Sequence, residues 1–259
     1  MLEITPLSAF RDNYIWALRR AGGVAVVVVD PGEPAPVLSY LRESAGQLDA
    51  ILVTHKHADH VGGIGALLDA WPEARVYGPA GEPIAALQHR LSDGERVELP
   101  ALEASFTVLE VPGHTEGHIA YYGEGALFCG DTLFAAGCGR VFSGTHAQLH
   151  RSLQRIAALP AQTRIYCAHE YTLDNLGFAA WVEPESAARL ERQQECERLR
   201  ALGLPTVPST LASELLTNPF LRTAEKGVIA AAERYRGEGL DSSEAVFTAI
   251  RNWKDREYD

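Results

Sequence analysis

Four groups able to hold a transition metal fall within six residues: His55, His57, Asp59 and His60, in the stretch Thr54-His55-Lys56-His57-Ala58-Asp59-His60. Packing gains nothing from three imidazoles and a carboxylate crowded together, because each polar group taken out of water needs a partner. Imidazole and carboxylate donors suit zinc, iron or manganese. In an extended segment, residues two apart project to the same side. His55 and His57 therefore face one way while Lys56 points away, and a turn after them would swing Asp59 and His60 towards a neighbouring position. That is more donors than one ion needs from so short a stretch.

Elements that could hold these groups are legible on either side. Residues 24–29 are apolar and mostly β-branched, a strand buried on both faces and stopped by Asp30-Pro31-Gly32. A helix is predicted over 36–45, a strand over 49–53, and a helix from Gly62-Gly63 to about Trp71, where Pro72 ends it. Residues 106–111, 119–122, 126–129 and 164–167 read as further strands, and Thr145 can cap a helix over 146–158. His55, His114, Asp131 and His169 each come just after a predicted strand. A loop beyond a strand end can hold a ligand rigidly and still leave it open to substrate.

After about residue 170 the strand signal vanishes. Helices are predicted over 184–202, 211–216 and 224–235, and a last one begins near Ser242 with Asp241 as cap and Glu244 three residues on. We therefore divide the chain into an α/β part, 1–170, and a helical part, 171–259.

Composition limits the partners. Of 259 residues, 46% are hydrophobic and 22% charged, as in globular chains. The formal charge of -11, with no run of Lys or Arg, argues against nucleic acid, and an anionic substrate would need its own local cations. The first residues do not read as a signal peptide, and no apolar stretch is long enough for a membrane span. Cys129, Cys138, Cys167 and Cys196 are scattered without a CxxC, which fits reduced, buried thiols in a cytoplasm.

The stretch from His55 to His60 is the HxHxDH signature of the metallo-β-lactamase superfamily, and this chain resembles that superfamily throughout its first part. His114 in Pro112-Gly113-His114-Thr115, Asp131 in Gly130-Asp131-Thr132 and His169 in Cys167-Ala168-His169-Glu170 follow in the order of the superfamily's remaining ligands. The resemblance implies two divalent metal ions, zinc first, with iron or manganese as alternatives. One would be held by His55, His57 and His114, the other by Asp59, His60 and His169, with Asp131 bridging both. It also implies a four-layered αββα sandwich. His118 is expected to orient a ligand or to pack behind the site, while His89, His146 and His150 are expected at the surface or on a helix face.

The second part narrows the resemblance. Ala136-Gly137-Cys138-Gly139-Arg140, His169-Glu170-Tyr171, Asn218-Pro219-Phe220-Leu221-Arg222 and Ala249-Ile250-Arg251-Asn252-Trp253-Lys254-Asp255 are similar to segments of glyoxalase II, the hydroxyacylglutathione hydrolases, which carry a C-terminal all-helical domain. That family implies hydrolysis of S-(2-hydroxyacyl)glutathione, chiefly S-D-lactoylglutathione, to glutathione and D-lactate, a step of methylglyoxal detoxification. The attacking group would be a hydroxide held between the metals and oriented by Asp59. Glutathione would be held by Arg140, Tyr171, Arg251 and Lys254. Phe142 stands where some members have a glutathione-contacting Tyr, and Arg140 where some have Lys. Arg251 and Lys254 lie three apart, neighbours on a helix face adjoining the apolar stripe of Ala245, Val246, Ala249, Ile250 and Trp253. The expected molecule is a cytoplasmic monomer acting on a small-molecule thioester. Its rivals are a glutathione persulfide dioxygenase with a single iron and a non-catalytic module structured by metal.

Overall fold

The computed structural model of the protein describes residues 1–258. Its internal contacts form two compact units, Met1–Glu110 with Gly117–Gly130, and Val111–Glu116 with Asp131–Asp259. This grouping follows spatial contacts and cuts the chain at places other than residue 170.

In the first unit, β1 (Leu2–Ala9) and β2 (Asn13–Arg20) form an antiparallel hairpin. β3 (Ala25–Val29) pairs antiparallel with β2. Helix α1 (Pro34–Glu43), with proline in its first turn, leads to β4 (Gln47–Leu52), which runs parallel to β3. A parallel neighbour requires such a crossover, and burial on both faces accounts for the unbroken apolar run of β3. The short helix α2 (Ala58–Val61) and α3 (Ile64–Ala70) follow, then β5 (Arg75–Pro79) and β6 (His89–Leu91), each parallel to its predecessor in the sheet. Val26, Val28, Ile51 and Val76 from the strands, with Val53 just past β4, meet Val37, Leu41, Ile64 and Leu67 from the helices in one core. A second set of strands runs antiparallel in succession: β7 (Arg96–Leu99), β8 (Ala104–Glu110), β9 (Ile119–Gly123) and β10 (Ala126–Gly130).

The second unit opens with a hairpin of two very short strands, β11 (Leu133–Phe134) and β12 (Gly137–Cys138). Helix α4 (His146–Ala157) is capped as expected, Thr145 Oγ1 accepting from the Gln148 amide at 3.1 Å. β13 (Arg164–Cys167) is followed by α5 (Thr172–Val182) and α6 (Ala187–Ala201). The two-residue strand β14 (Ser209–Thr210) pairs antiparallel with β13, so the later part of the chain is not purely helical. α7 (Leu211–Thr217), α8 (Lys226–Arg236) and α9 (Ser243–Trp253) complete the set, and residues Lys254–Tyr258 continue α9 as a wider π turn. Helix α9 is capped by Ser242, whose hydroxyl accepts from the Ala245 amide, rather than by Asp241. Aromatic side chains join these helices: Phe178 stacks on Phe220 at 5.9 Å, Phe220 meets Phe247 edge-on at 5.8 Å, and Tyr235 stacks on Trp253 at 5.2 Å. Among the described residues no helix is long and apolar enough to cross a membrane.

Candidate metal centre

The HxHxDH residues sit where β4 ends and α2 begins, so strand and helix fix the two sides of the motif. His55 Nε2 and His57 Nδ1 converge to 3.0 Å. The proton positions follow from the neighbours. Thr54 Oγ1 donates its one hydrogen to Asp30 Oδ2 at 2.7 Å, so towards His55 Nδ1, 3.1 Å away, it accepts. His55 then carries its proton on Nδ1 and turns the Nε2 lone pair towards His57. Asp30 Oδ2 also accepts from His60 Nδ1 at 3.1 Å, which leaves His60 Nε2 as the donor to a cation. That atom lies 3.4 Å from Asp59 Oδ2, and Asn13 Nδ2 holds the same carboxylate at 3.0 Å. His60 Nε2 and Asp59 Oδ2 thus face each other as electron-rich atoms, an arrangement that suits a shared cation.

Lys56 points away from the two imidazoles, as expected, and reaches the buried Glu82 at 3.6 Å. Glu82 also accepts the Gly117 amide at 3.2 Å, tying the segment before His118 to this loop. His118 is fully buried and stacks on His55, ring centres 4.6 Å apart, so it packs behind the motif. Gly32 is required here by close approach: a Cβ would overlap the Asp59 carbonyl and the Phe10 ring.

The other three expected ligands lie in the second unit. Asp131 Oδ2 stands 3.5 Å from His114 Nε2 and 3.4 Å from His169 Nε2, one carboxylate oxygen between two imidazole donors. His114 Nδ1 donates to the Arg140 carbonyl at 2.8 Å, again directing Nε2 towards the carboxylate. Tyr171 stacks on His169 with ring centres 4.6 Å apart, and Phe142 meets His114 edge-on at 5.1 Å. At Gly139 a Cβ would collide with the Asp131 carbonyl and press on His114 Nδ1.

The β11–β12 hairpin carries the chain from Asp131 to Arg140, and residues far along the sequence anchor it. Glu214, fully buried on α7, accepts the Ala136 amide at 2.8 Å and is ion-paired with Arg192. Asn218 Nδ2 donates to the carbonyls of Phe134 and Gly137 at 3.2 and 2.9 Å. Sequence reasoning passed over Asp30, Asn13, Glu82 and Glu214 and took Asn218 only as part of a motif. Asp30 carried a usable signal, since it follows a buried strand just as His55 does.

The cations expected to meet glutathione are arranged unevenly. Arg140 is half exposed, its Nε 3.4 Å from Asp255 Oδ1. Arg251 is 1% exposed, not on a solvated face: Nη1 donates to the Cys138 carbonyl at 3.0 Å and Nη2 to Asp255 Oδ1 at 2.9 Å. Lys254 is buried too, donating to Asn175 Oδ1 at 2.9 Å with Asp174 Oδ2 3.5 Å away. Burial pushes the Cys138 thiol up to about 11 although Arg251 pulls it down. His150, expected on a surface or helix face, lies on the buried face of α4 against Phe247, while His89 is exposed and stacked on Tyr77.

Residues 10–169 match the family model of the metallo-beta-lactamase superfamily. The fold agrees. The structure of ETHE1 from Myxococcus xanthus aligns with a TM-score of 0.68 at 23% identity, covering 100% of this chain and 93% of that one. TTHA1623, solved in a di-iron-bound form, aligns with a TM-score of 0.59 at 26% identity, covering 85% of this chain and 100% of that one. The strand-end histidines and carboxylates thus stand in a metallo-β-lactamase α/β fold of the sandwich type, followed by a helical C-terminal domain, and mark the chain as a divalent-metal protein. Residues 170–257 match a second model, the hydroxyacylglutathione hydrolase C-terminus. The hydroxyacylglutathione hydrolase of Pseudomonas aeruginosa (strain LESB58) is 53% identical over 260 residues, 99% of this chain and 100% of that protein. Within the superfamily, this chain belongs to the hydroxyacylglutathione hydrolases, the glyoxalase II family.

Proposed function

We propose that the protein hydrolyses S-(2-hydroxyacyl)glutathione thioesters, chiefly S-D-lactoylglutathione, to glutathione and D-lactate. The observation that carries this reading is the match of residues 170–257 to the C-terminal domain of the hydroxyacylglutathione hydrolases, which goes beyond the superfamily's shared metal motif. We assign chemistry to residues 1–170 and substrate binding chiefly to 171–259, in line with the junction of the two family models.

His55, His57 and His114 would hold one divalent ion and Asp59, His60 and His169 another, with Asp131 shared. The donor set supports this, since His55, His60 and His114 each have Nδ1 engaged by an oxygen, which directs Nε2 to a cation. Zinc suits these donors best, and iron or manganese also fit. When bound, such ions polarise a carbonyl oxygen and lower the pKa of coordinated water towards about 7. The chain's own groups do the rest. Asn13 fixes Asp59, whose carboxylate orients the attacking water. Arg140, Tyr171, Arg251 and Lys254 gather the glutathione moiety, Asp255 linking Arg140 to Arg251. The sulfur departs as a thiolate, a leaving group good enough to need no dedicated acid. We place the enzyme in the cytoplasm, a reading supported by four cysteines that are buried and unbridged, and take it to act as a monomer.

The test is thioester hydrolysis, followed by loss of thioester absorbance, on S-D-lactoylglutathione beside a simple aliphatic thioester, in air and under strict anaerobiosis. Turnover should favour the glutathione substrate and be unchanged without oxygen. Obligatory oxygen uptake, with glutathione persulfide as the preferred substrate, would overturn the hydrolase reading.

A further inference from the structure

The buried carboxylate of Asp30 serves two ligand imidazoles at once. Oδ2 accepts from His60 Nδ1 at 3.1 Å and from Thr54 Oγ1 at 2.7 Å, while Oδ1 accepts the Thr54 amide at 2.8 Å. The Thr54 hydroxyl, its hydrogen committed to Asp30, can only accept from His55 Nδ1. One carboxylate therefore fixes the proton on Nδ1 of His60 directly and of His55 through a hydroxyl relay. The backbone points the same way. Asp30 lies at φ 53°, left-handed space that L-residues other than Asn and Asp enter at a cost, and it does so at the end of β3 while 5% exposed. Asp is among the few residues that adopt this backbone readily, and the charge it carries out of water is offset by bonds to the ligand loop.

We propose that Asp30 is the positioning residue common to both metal positions, setting the tautomer, ring orientation and basicity of His55 in one and His60 in the other. The proposal rests on the assignment of these histidines to two different ions. Thr54 is then the branch point, carrying the effect of Asp30 to the His55 position alone. Neither residue touches substrate.

The decisive comparison is between Asp30→Asn and Thr54→Val, each with the wild-type protein, by stepwise titration of the metal-free full chain with Zn²⁺ against a chromophoric chelator. Visible spectra of the Co²⁺-loaded forms provide the second readout. Asparagine keeps the size and tolerates the left-handed backbone but removes the charge. Asp30→Asn should weaken both steps by about 10- to 100-fold, the usual effect of removing a partner behind a ligand. Its cobalt bands should shift for both ions. Thr54→Val should weaken one step and leave the other within twofold. A general loosening of the loop would instead affect both variants alike, so equal weakening of both steps in Thr54→Val overturns the relay. Wild-type affinity in Asp30→Asn overturns the proposal itself. Should the wild-type chain take up only one equivalent, the two-ion assignment fails. The role of Asp30 is then decided by that one step, and unchanged affinity in Asp30→Asn refutes it.

Discussion

The two groups of proposed ligands are built on opposite plans. In the first unit, four donors crowd into His55–His60 and their orientation comes from side chains, Asp30, Thr54 and Asn13, on neighbouring strands and turns. In the second, His114, Asp131 and His169 are spread along the chain. Orientation there comes from a backbone carbonyl at Arg140 and from a short hairpin anchored by Glu214 and Asn218. A dense motif can be held by local chemistry, whereas a dispersed one depends on long-range tertiary structure. Damage to the first should therefore register mainly in metal binding, and damage to the supports of the second in stability as well.

The sharpest break should come at Asp131, whose Oδ2 lies between two imidazoles. Asp131→Ala should lose metal and activity together, and elemental analysis that still found two equivalents per chain would overturn the bridging role proposed for it. Next is Glu214→Ala, which leaves the largely buried Arg192 guanidinium with Thr217 but without its carboxylate. A loss on the order of 3–5 kcal/mol is expected in urea denaturation. Asn13→Ala, by contrast, removes one hydrogen bond to Asp59 and should cost about 1 kcal/mol of stability while lowering metal affinity.

The cations sharpen the contrast within the second unit. Arg140→Ala should raise KM for the glutathione thioester by about 10-fold, with kcat within a few-fold and unfolding unchanged, as for a contact made equally in ground and transition states. Arg251→Ala, removing a buried group bonded to Cys138 and Asp255, should do the same and also destabilise the fold by about 2 kcal/mol or more. Should Arg251→Ala leave KM untouched while lowering stability, its part would be to hold α9 alone.

The smallest effect concerns the thiols. Burial raises Cys138 to about 11 and Cys167 to about 12, from 9.0. Both stay protonated at neutral pH, so an alkylating reagent should label neither until the chain unfolds. The native state holds these protons more tightly, so their contribution is complete below pH 9 and is lost as pH rises through the native values. Stability falling from pH 9 upwards is the measurable sign.

Legibility in the sequence followed the same division. The dense motif announced itself because its donors are sequence neighbours, and β3, β4 and β13 announced themselves as short apolar runs. The partners of those donors did not, because Asp30 and Asn13 reach the motif only through folding. The β1–β2 hairpin mixes polar and apolar residues without strict alternation, so no period marked it. Helix α5 is apolar on nearly all sides, with Leu176, Phe178, Ala179 and Val182 buried, and a helix without a polar face has no stripe to read. Arg251 and Lys254 read as binding cations on a face adjoining the core, with nothing in the sequence to mark their burial. The acceptors that let them be buried, Asp255, Asn175 and the Cys138 carbonyl, become neighbours only through the fold. The assignment of individual donors to two ions came from family resemblance and not from spacing.

Gly32 and Gly139 place bare backbone against the loops that bear Asp59 and Asp131. Such positions have no intermediate steps, because even alanine would put its first carbon inside a peptide group. A mutant library meant to retune recognition of the glutathione moiety should leave these two codons alone. It can instead spend its diversity on Phe142, 66% exposed, and on half-exposed Arg140, whose side chains can change without moving any backbone that carries a ligand.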